Sequence, residues 1–167
     1  SLTTMITDLD KRIDRAEKNL QRKLEWISRV DTRVSFIAGV AIAMLGVLAN
    51  AFSRIICWEW YHYAVFYSAA AFLFVSLFYL YKSQNPKILA PNESLIFFGT
   101  IAKMKFDDFK SKFSNTSPED YFDDLLHQVH INSEILCEKF YYLKSSITWI
   151  IIAVIPWLIA LYFAGLY

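Results

Sequence analysis

Polar and apolar positions along this chain separate into long blocks instead of alternating at the spacing of a soluble fold. Val34 to Ser53 runs 20 residues without a charge, Tyr63 to Tyr81 runs 19, and Ser145 to Tyr167 runs 23. At about 1.5 Å per residue, each suffices to cross roughly 30 Å of hydrocarbon as a helix. Trp58, Trp60 and Tyr61 precede the second block, and the third carries Trp149 and Trp157, aromatic residues of the kind that settle at headgroup level. Pro156 lies inside the third block, where a membrane helix tolerates it better than a soluble one. Core helices of soluble domains seldom run this far without a charge. The pattern predicts transmembrane helices over 34–53, 60–81 and 145–167.

The polar segments carry helical periodicity of their own. Residues 1–33 read as a helix continuous with the first span, capped by Thr3 or Thr4 and free of Gly and Pro. Ile6, Leu9, Ile13, Ala16 and Leu20 fall at alternating steps of three and four, a coiled-coil-like seam. A four-residue step to Leu24 shifts this stripe, and Ile27 carries it on. Thr4 to Phe52 would then be one rod of roughly 70 Å. Its stripe packs either on a second helix of the same chain or against another copy.

Residues 82–94 hold two prolines and read as a loop. Leu95 to Gly99 is a short apolar run, strand or buried turn, and Lys105 to Phe113 is a short amphipathic helix with Phe106, Phe109 and Phe113 on one stripe. Ser117-Pro118-Glu119-Asp120 marks a helix start, with Ser as N-cap, Pro at the first position and acids against the helix dipole. No Gly or Pro follows before Pro156, so a second long helix, Pro118 to Tyr167, should enter the membrane unbroken. Its apolar stripe is Phe122, Leu125, Val129, Leu136, Phe140 and Leu143, with Asn132 at one stripe position, where a buried amide fixes register.

Composition sharpens this picture. Hydrophobic residues make up 56% and charged ones 20%, against about 45–50% and 25% in ordinary soluble domains. The net charge of +1 leaves no global basic field, which argues against nucleic-acid binding. Two cysteines, Cys57 and Cys137, are too few for a disulfide framework. Lys and Arg number eight in 1–33 and eight in 82–144, while Arg54 alone lies between the first two spans. The positive-inside rule therefore puts 1–33 and the helical 82–144 region in the cytoplasm and the C-terminus outside, in the periplasm. The polar N-terminus shows no signal peptide. The expected architecture is an all-α membrane protein: three transmembrane helices whose long cytoplasmic helical extensions form a bundle, assembled as a homo-oligomer.

Candidate chemistry is sparse. Asp123, His127, His130 and Glu134 share one face of the second long helix, but no second element completes a tetrahedral set, so a solvated polar face is expected. The four glycines are scattered and form no phosphate loop. Arg54 and Glu59 flank the outer turn as a presumed exposed salt bridge. Asp31 and Arg33 stand where the first span begins, placed to snorkel to headgroups. Asp124, Gln128 and Lys139 recur along one side of the second helix, for inter-helix hydrogen bonds or a polar pocket. Nothing here is an enzyme's constellation, and no metal or cofactor is expected.

Asp31-Thr32-Arg33 running into an apolar span resembles the opening of the bacterial Pycsar effector transmembrane family. So do Ile96-Phe97-Phe98-Gly99-Thr100-Ile101-Ala102, Pro118-Glu119-Asp120-Tyr121, Asp124-Leu125-Leu126-His127-Gln128-Val129 and Lys139-Phe140-Tyr141. The resemblance covers most of 25–160 in order and spacing. Two departures are Val34, where the family has a small residue, and Ala41-Ile42, where it often has Asn-Gly.

This resemblance implies an antiphage effector of the inner membrane, working with a nucleotidyl cyclase that makes cyclic CMP or cyclic UMP on infection. The effector then impairs membrane integrity and the infection aborts. A related cyclic-oligonucleotide (CBASS-like) effector and a non-sensing scaffold or accessory subunit are the alternatives. A cyclic pyrimidine mononucleotide needs cations for its phosphate, polar groups for its base edge and an aromatic surface. Arg33, Lys103, Lys105 and Lys139 are the candidates for phosphate. Asp124, Gln128 and Asn132 are those for polar contacts, and Phe97, Phe98 and Tyr141 those for stacking.

Overall fold

The structure, a computed structural model, describes residues 2–86 and 94–165, with side chains from residue 7 onward. Five helices occur among them: α1 (Leu2–Arg54), α2 (Trp60–Gln84), α3 (Phe98–Ile101), α4 (Phe106–Asn115) and α5 (Pro118–Phe163). No strand occurs among the described residues. α1, α2 and α5 each contain a stretch long and apolar enough to cross a membrane. The all-α membrane fold expected from the block pattern is therefore the observed one. The side chains of the expected caps Thr3 and Thr4 and of Ile6, and residues 87–93 of the expected 82–94 loop, lie outside the described residues.

Two compact units partition the chain: Ser1–Ser28 with Lys87–Cys137, and Arg29–Pro86 with Glu138–Tyr167. In the first, Ala16, Leu20 and Leu125 are buried, and Ile13, Ile96, Tyr121, Phe122 and Val129 pack around them. α5 starts as its sequence dictates. The Ser117 hydroxyl accepts the Asp120 N–H at 3.1 Å and donates to the Asp120 carboxylate at 2.7 Å, satisfying a first-turn donor. Arg12 lies over the Phe122 ring at 4.9 Å. α4 buries none of its side chains, so the Phe106 and Phe113 ends of its stripe stand exposed.

The α1 stripe departs from the expected one at a single point. Leu24 is 51% exposed, and Lys23 takes the inward position. Ile13, Ala16, Leu20, Lys23, Ile27, Val30 and Val34 thus keep strict three–four alternation, and Ala41 and Leu48 follow at steps of seven. Register wins over hydrophobicity here because a lysine stem lies along an apolar seam while its ammonium reaches out.

The second unit is packed on small residues. On α2 the buried set includes Ala69, Ser76 and Ser83, and on α5 Ser146, Ala153 and Ala160, each series at steps of seven. Ser76 and Ser146 share a 2.6 Å hydroxyl hydrogen bond and are both fully buried. Large apolar side chains such as Phe36, Ile42, Phe74, Phe78, Ile151 and Ile155 face outward. Helices in lipid gain nothing by hiding leucine from hydrocarbon, so they bury small and hydroxylated residues that let backbones approach. At one end Leu48, Ala51, Phe66, Ala69 and Ala160 form a core under Trp58 and Trp157. The Trp157 indole N–H donates to the Met44 carbonyl at 3.0 Å.

Two local expectations change. α2 continues to Gln84, beyond the expected end at 81, because Ser83 is buried and donates its hydroxyl to the Lys139 carbonyl at 3.3 Å. Glu59 makes no ion pair with Arg54 among the described residues. It caps α2 instead, its N–H donating to His62 Nδ1 at 3.0 Å.

Candidate functional site

In the first unit, Ser94 organises the turn that leads into α3. Its hydroxyl donates to Asp124 Oδ2 at 3.0 Å. It accepts the N–H groups of Ile96 and Phe97 at 3.1 and 3.0 Å and the amide of Gln128 at 3.3 Å. The same Asp124 oxygen takes the Leu95 N–H at 2.9 Å. The apolar run 95–99 is therefore a polar-anchored turn leading into α3 and not a strand, since a carboxylate and a hydroxyl satisfy the backbone donors of 95–97 locally. A Cβ at Gly99 would lie 2.5 Å from the Phe97 ring, so any larger residue there requires that ring to shift.

Beside this anchor lies a cavity of about 380 Å³, lined by Ser94, Leu95 and Met104 on one side and Lys112, Asn115, Thr116, Asp120, Tyr121 and Asp124 on the other. It combines an apolar floor with one cation, two carboxylates and several hydroxyl and amide groups. Among the described residues Lys112 forms no ion pair and Asp124 Oδ1 receives no hydrogen bond. Tyr121 donates to Glu17 at 2.9 Å. Burial, then the Glu17 hydrogen bond and its charge, push the Tyr121 phenol above its ordinary 10.0.

The residues expected to bind a nucleotide are divided between the units. Phe97, Phe98, Lys103, Lys105, Asp124, Gln128 and Asn132 belong to the first, while Arg33, Lys139 and Tyr141 belong to the second. Of the first group only Asp124 lines the cavity. Gln128 is buried and serves the Ser94 turn, Lys103 and Lys105 are exposed, and Phe98 is exposed beside a half-buried Phe97. Asn132 is half-buried and donates to the Gln128 carbonyl of its own helix at 2.8 Å, so it makes no register-setting bond to a neighbour among the described residues.

Lys139, expected to meet a phosphate, is engaged within the chain. The residue is buried, and its ammonium pairs with Asp31 Oδ1 at 2.5 Å. Gln84 donates to the same oxygen at 3.4 Å. Asp31 is thus half-buried and paired within the chain, whereas Arg33 and Tyr141 are exposed. Asp123, His127, His130 and Glu134 are all exposed, with a 3.6 Å His130–Glu134 contact. Among the described residues no His, Cys, Asp and Glu group is placed to hold a metal ion.

Sequence reasoning passed over Ser94, Lys112 and Tyr121 in the cavity and Ser76, Ser83, Gln84 and Ser146 in the second unit. The heptad spacing of Ser76 and Ser83, and of Lys139 and Ser146, was the one signal that could have flagged the latter. Nothing local distinguishes Ser94 from any other loop serine.

The Pycsar effector protein domain matches residues 15–165. The chain is also similar to Pycsar effector protein GmPycTM of Gulbenkiania mobilis, 26% identical over 175 aligned positions covering 87% of this chain and 89% of that one. No solved structure matches. With the matched span running through most of both units, the chain belongs to the Pycsar effector family, a family of antiphage effectors.

Proposed function

We propose that this chain is a receptor for a cyclic pyrimidine mononucleotide, cyclic CMP or cyclic UMP, supplied by a partner nucleotidyl cyclase. Binding opens the three-span unit and breaches the inner membrane, so that infection aborts. The observation that carries this reading is one chain joining a cavity-bearing polar unit to a three-span unit through α1 and α5, each helical throughout and contributing to both. A cavity of about 380 Å³ falls in the range of roughly 300–1,000 Å³ usual for small ligands. Lys112 would meet the phosphate, Tyr121 would stack and Asp124 would accept from the base edge. The chain performs no catalysis in this reading, works as a homo-oligomer and needs no cofactor beyond the nucleotide.

Cations concentrate in 1–33 and 82–144, so those parts lie in the cytoplasm with the C-terminus in the periplasm. To move a sealed population from 1:99 to 99:1 open, the nucleotide must prefer the open state by about 5.5 kcal/mol. The spans carry no ring of charges, so the breach is wide and unselective. Calorimetry of the purified chain should show binding of cyclic CMP or cyclic UMP, weakened about tenfold or more by Lys112→Ala. Dye uptake by cells should require co-expression of an active pyrimidine cyclase. Equal uptake with an inactive cyclase would leave a toxic membrane protein and no receptor.

A further inference from the structure

The buried face of α5 in the second unit carries one residue out of keeping with its neighbours. Ser146, Ala153 and Ala160 follow Lys139 at steps of seven, all fully buried. Where the other three let helices approach closely, Lys139 inserts a long cation whose side chain is only 6% exposed. Its charge is met by Asp31 of α1, whose carboxylate oxygen also takes the Gln84 amide of α2, and Ser83 of α2 binds the Lys139 carbonyl. Three helices thus converge on one ion pair.

A pair in this setting behaves unlike a surface salt bridge. The apolar faces of the spans supply little cohesion in lipid, so polar links weigh heavily among the contacts between them. The buried Lys139 ammonium is poorly tolerated without its partner, and separating the pair demands water for it. Closed, the pair keeps water from the ammonium; opened, it admits water to it. We propose that Asp31–Lys139, braced by Gln84, is a clasp holding the three-span unit sealed, and that its separation is the step that hydrates the seam. This rests on the membrane-breach reading but not on which nucleotide, if any, the first unit binds.

The two halves of the clasp are unequally buried, with the Asp31 side chain 39% exposed against 6% for Lys139. Removing the Asp31 charge strands a buried ammonium, whereas removing the Lys139 charge leaves a carboxylate that still reaches the surface. In liposomes loaded with a self-quenching dye and holding the full chain without nucleotide, Asp31→Asn should leak about tenfold faster than wild type, the shift that about 1.4 kcal/mol produces. Lys139→Met should leak less than Asp31→Asn. The double variant Asp31→Lys with Lys139→Asp, which restores the pair in reverse, should seal again. Asp31→Leu with Lys139→Leu, which removes both charges, should seal and stay sealed.

Single variants that reconstitute at wild-type levels without leaking would overturn the clasp. So would a reversed pair or a Leu pair that leaks as fast as Asp31→Asn, since the fault would then be general misfolding. If the single variants fail to reconstitute, the two double variants decide alone: both sealed supports the clasp and either leaking refutes it. Cyclase-dependent uptake by wild-type cells alongside silent single variants would sink the clasp and leave the proposed function standing. Leaking single variants in a chain that no nucleotide opens would do the reverse.

Discussion

Replacing Ser94 by Ala removes the acceptor for three donors at once: the Ile96 and Phe97 N–H groups and the Gln128 amide. Gln128 is 3% exposed, so its amide finds no water, and an unsatisfied buried donor costs about 1–3 kcal/mol. The two backbone N–H groups sit in a half-buried turn and can rehydrate, so each forfeits only the net value of its bond, about 0.5–1.5 kcal/mol. Contributions within one network do not add fully, which sets a working figure of about 3 kcal/mol. At about 1.4 kcal/mol per tenfold, the turn should open roughly a hundredfold more often. Hydrogen exchange on the detergent-solubilised chain reads this directly as lost protection over 95–101, with the middle of α2 as an internal reference that should not move. Ser94→Thr keeps the hydroxyl and should keep most of the protection. Exchange in the Ala variant within about threefold of wild type would show that the hydroxyl does not hold the turn.

Other consequences follow from the packing and the site. Ser76→Leu places a large side chain where α2 and α5 meet on small residues, and should lower stability in detergent by about 1–3 kcal/mol, read from the thermal midpoint. Phe74→Ala on the outward face should change it little, because that ring is 61% exposed. Tyr121 holds its proton more tightly in the folded chain than in the unfolded one, so its contribution to stability is complete below pH 10.0 and is lost as pH rises through its raised folded value. Alkaline melting should therefore come at higher pH for Tyr121→Phe than for wild type, if both start equally stable. A membrane-impermeant thiol reagent on spheroplasts should label Cys57 and spare Cys137; both are exposed in the structure, so labelling reports orientation and not burial. Labelling of Cys137 alone would reverse the orientation.

How much of this was legible beforehand depended on the range of the interaction. Uncharged length, the Ser117-Pro118 start and the three–four spacing are properties of neighbours in the chain, and they set α1, α2 and α5 nearly to their ends. The motifs carrying the family resemblance were visible for the same reason, as short runs of defined order. Distant partners were not. Asp31 beside a membrane block reads as a headgroup contact until Lys139, 108 residues on, is seen to pair with it. Gln84 sat inside an expected loop because its reason for being helical, the contacts of Ser83 and Gln84 with Lys139 and Asp31, lies on other helices. Leu24 outranks Lys23 by hydrophobicity, yet the heptad register turns Lys23 inward, since only tertiary packing chooses between two adjacent phases of one helix. The sequence by itself determined where the three long helices run and that each is apolar enough for lipid. Which polar side chains are committed to one another was decided only when the helices packed, because a hydrogen bond across tens of residues leaves no periodic trace in the chain.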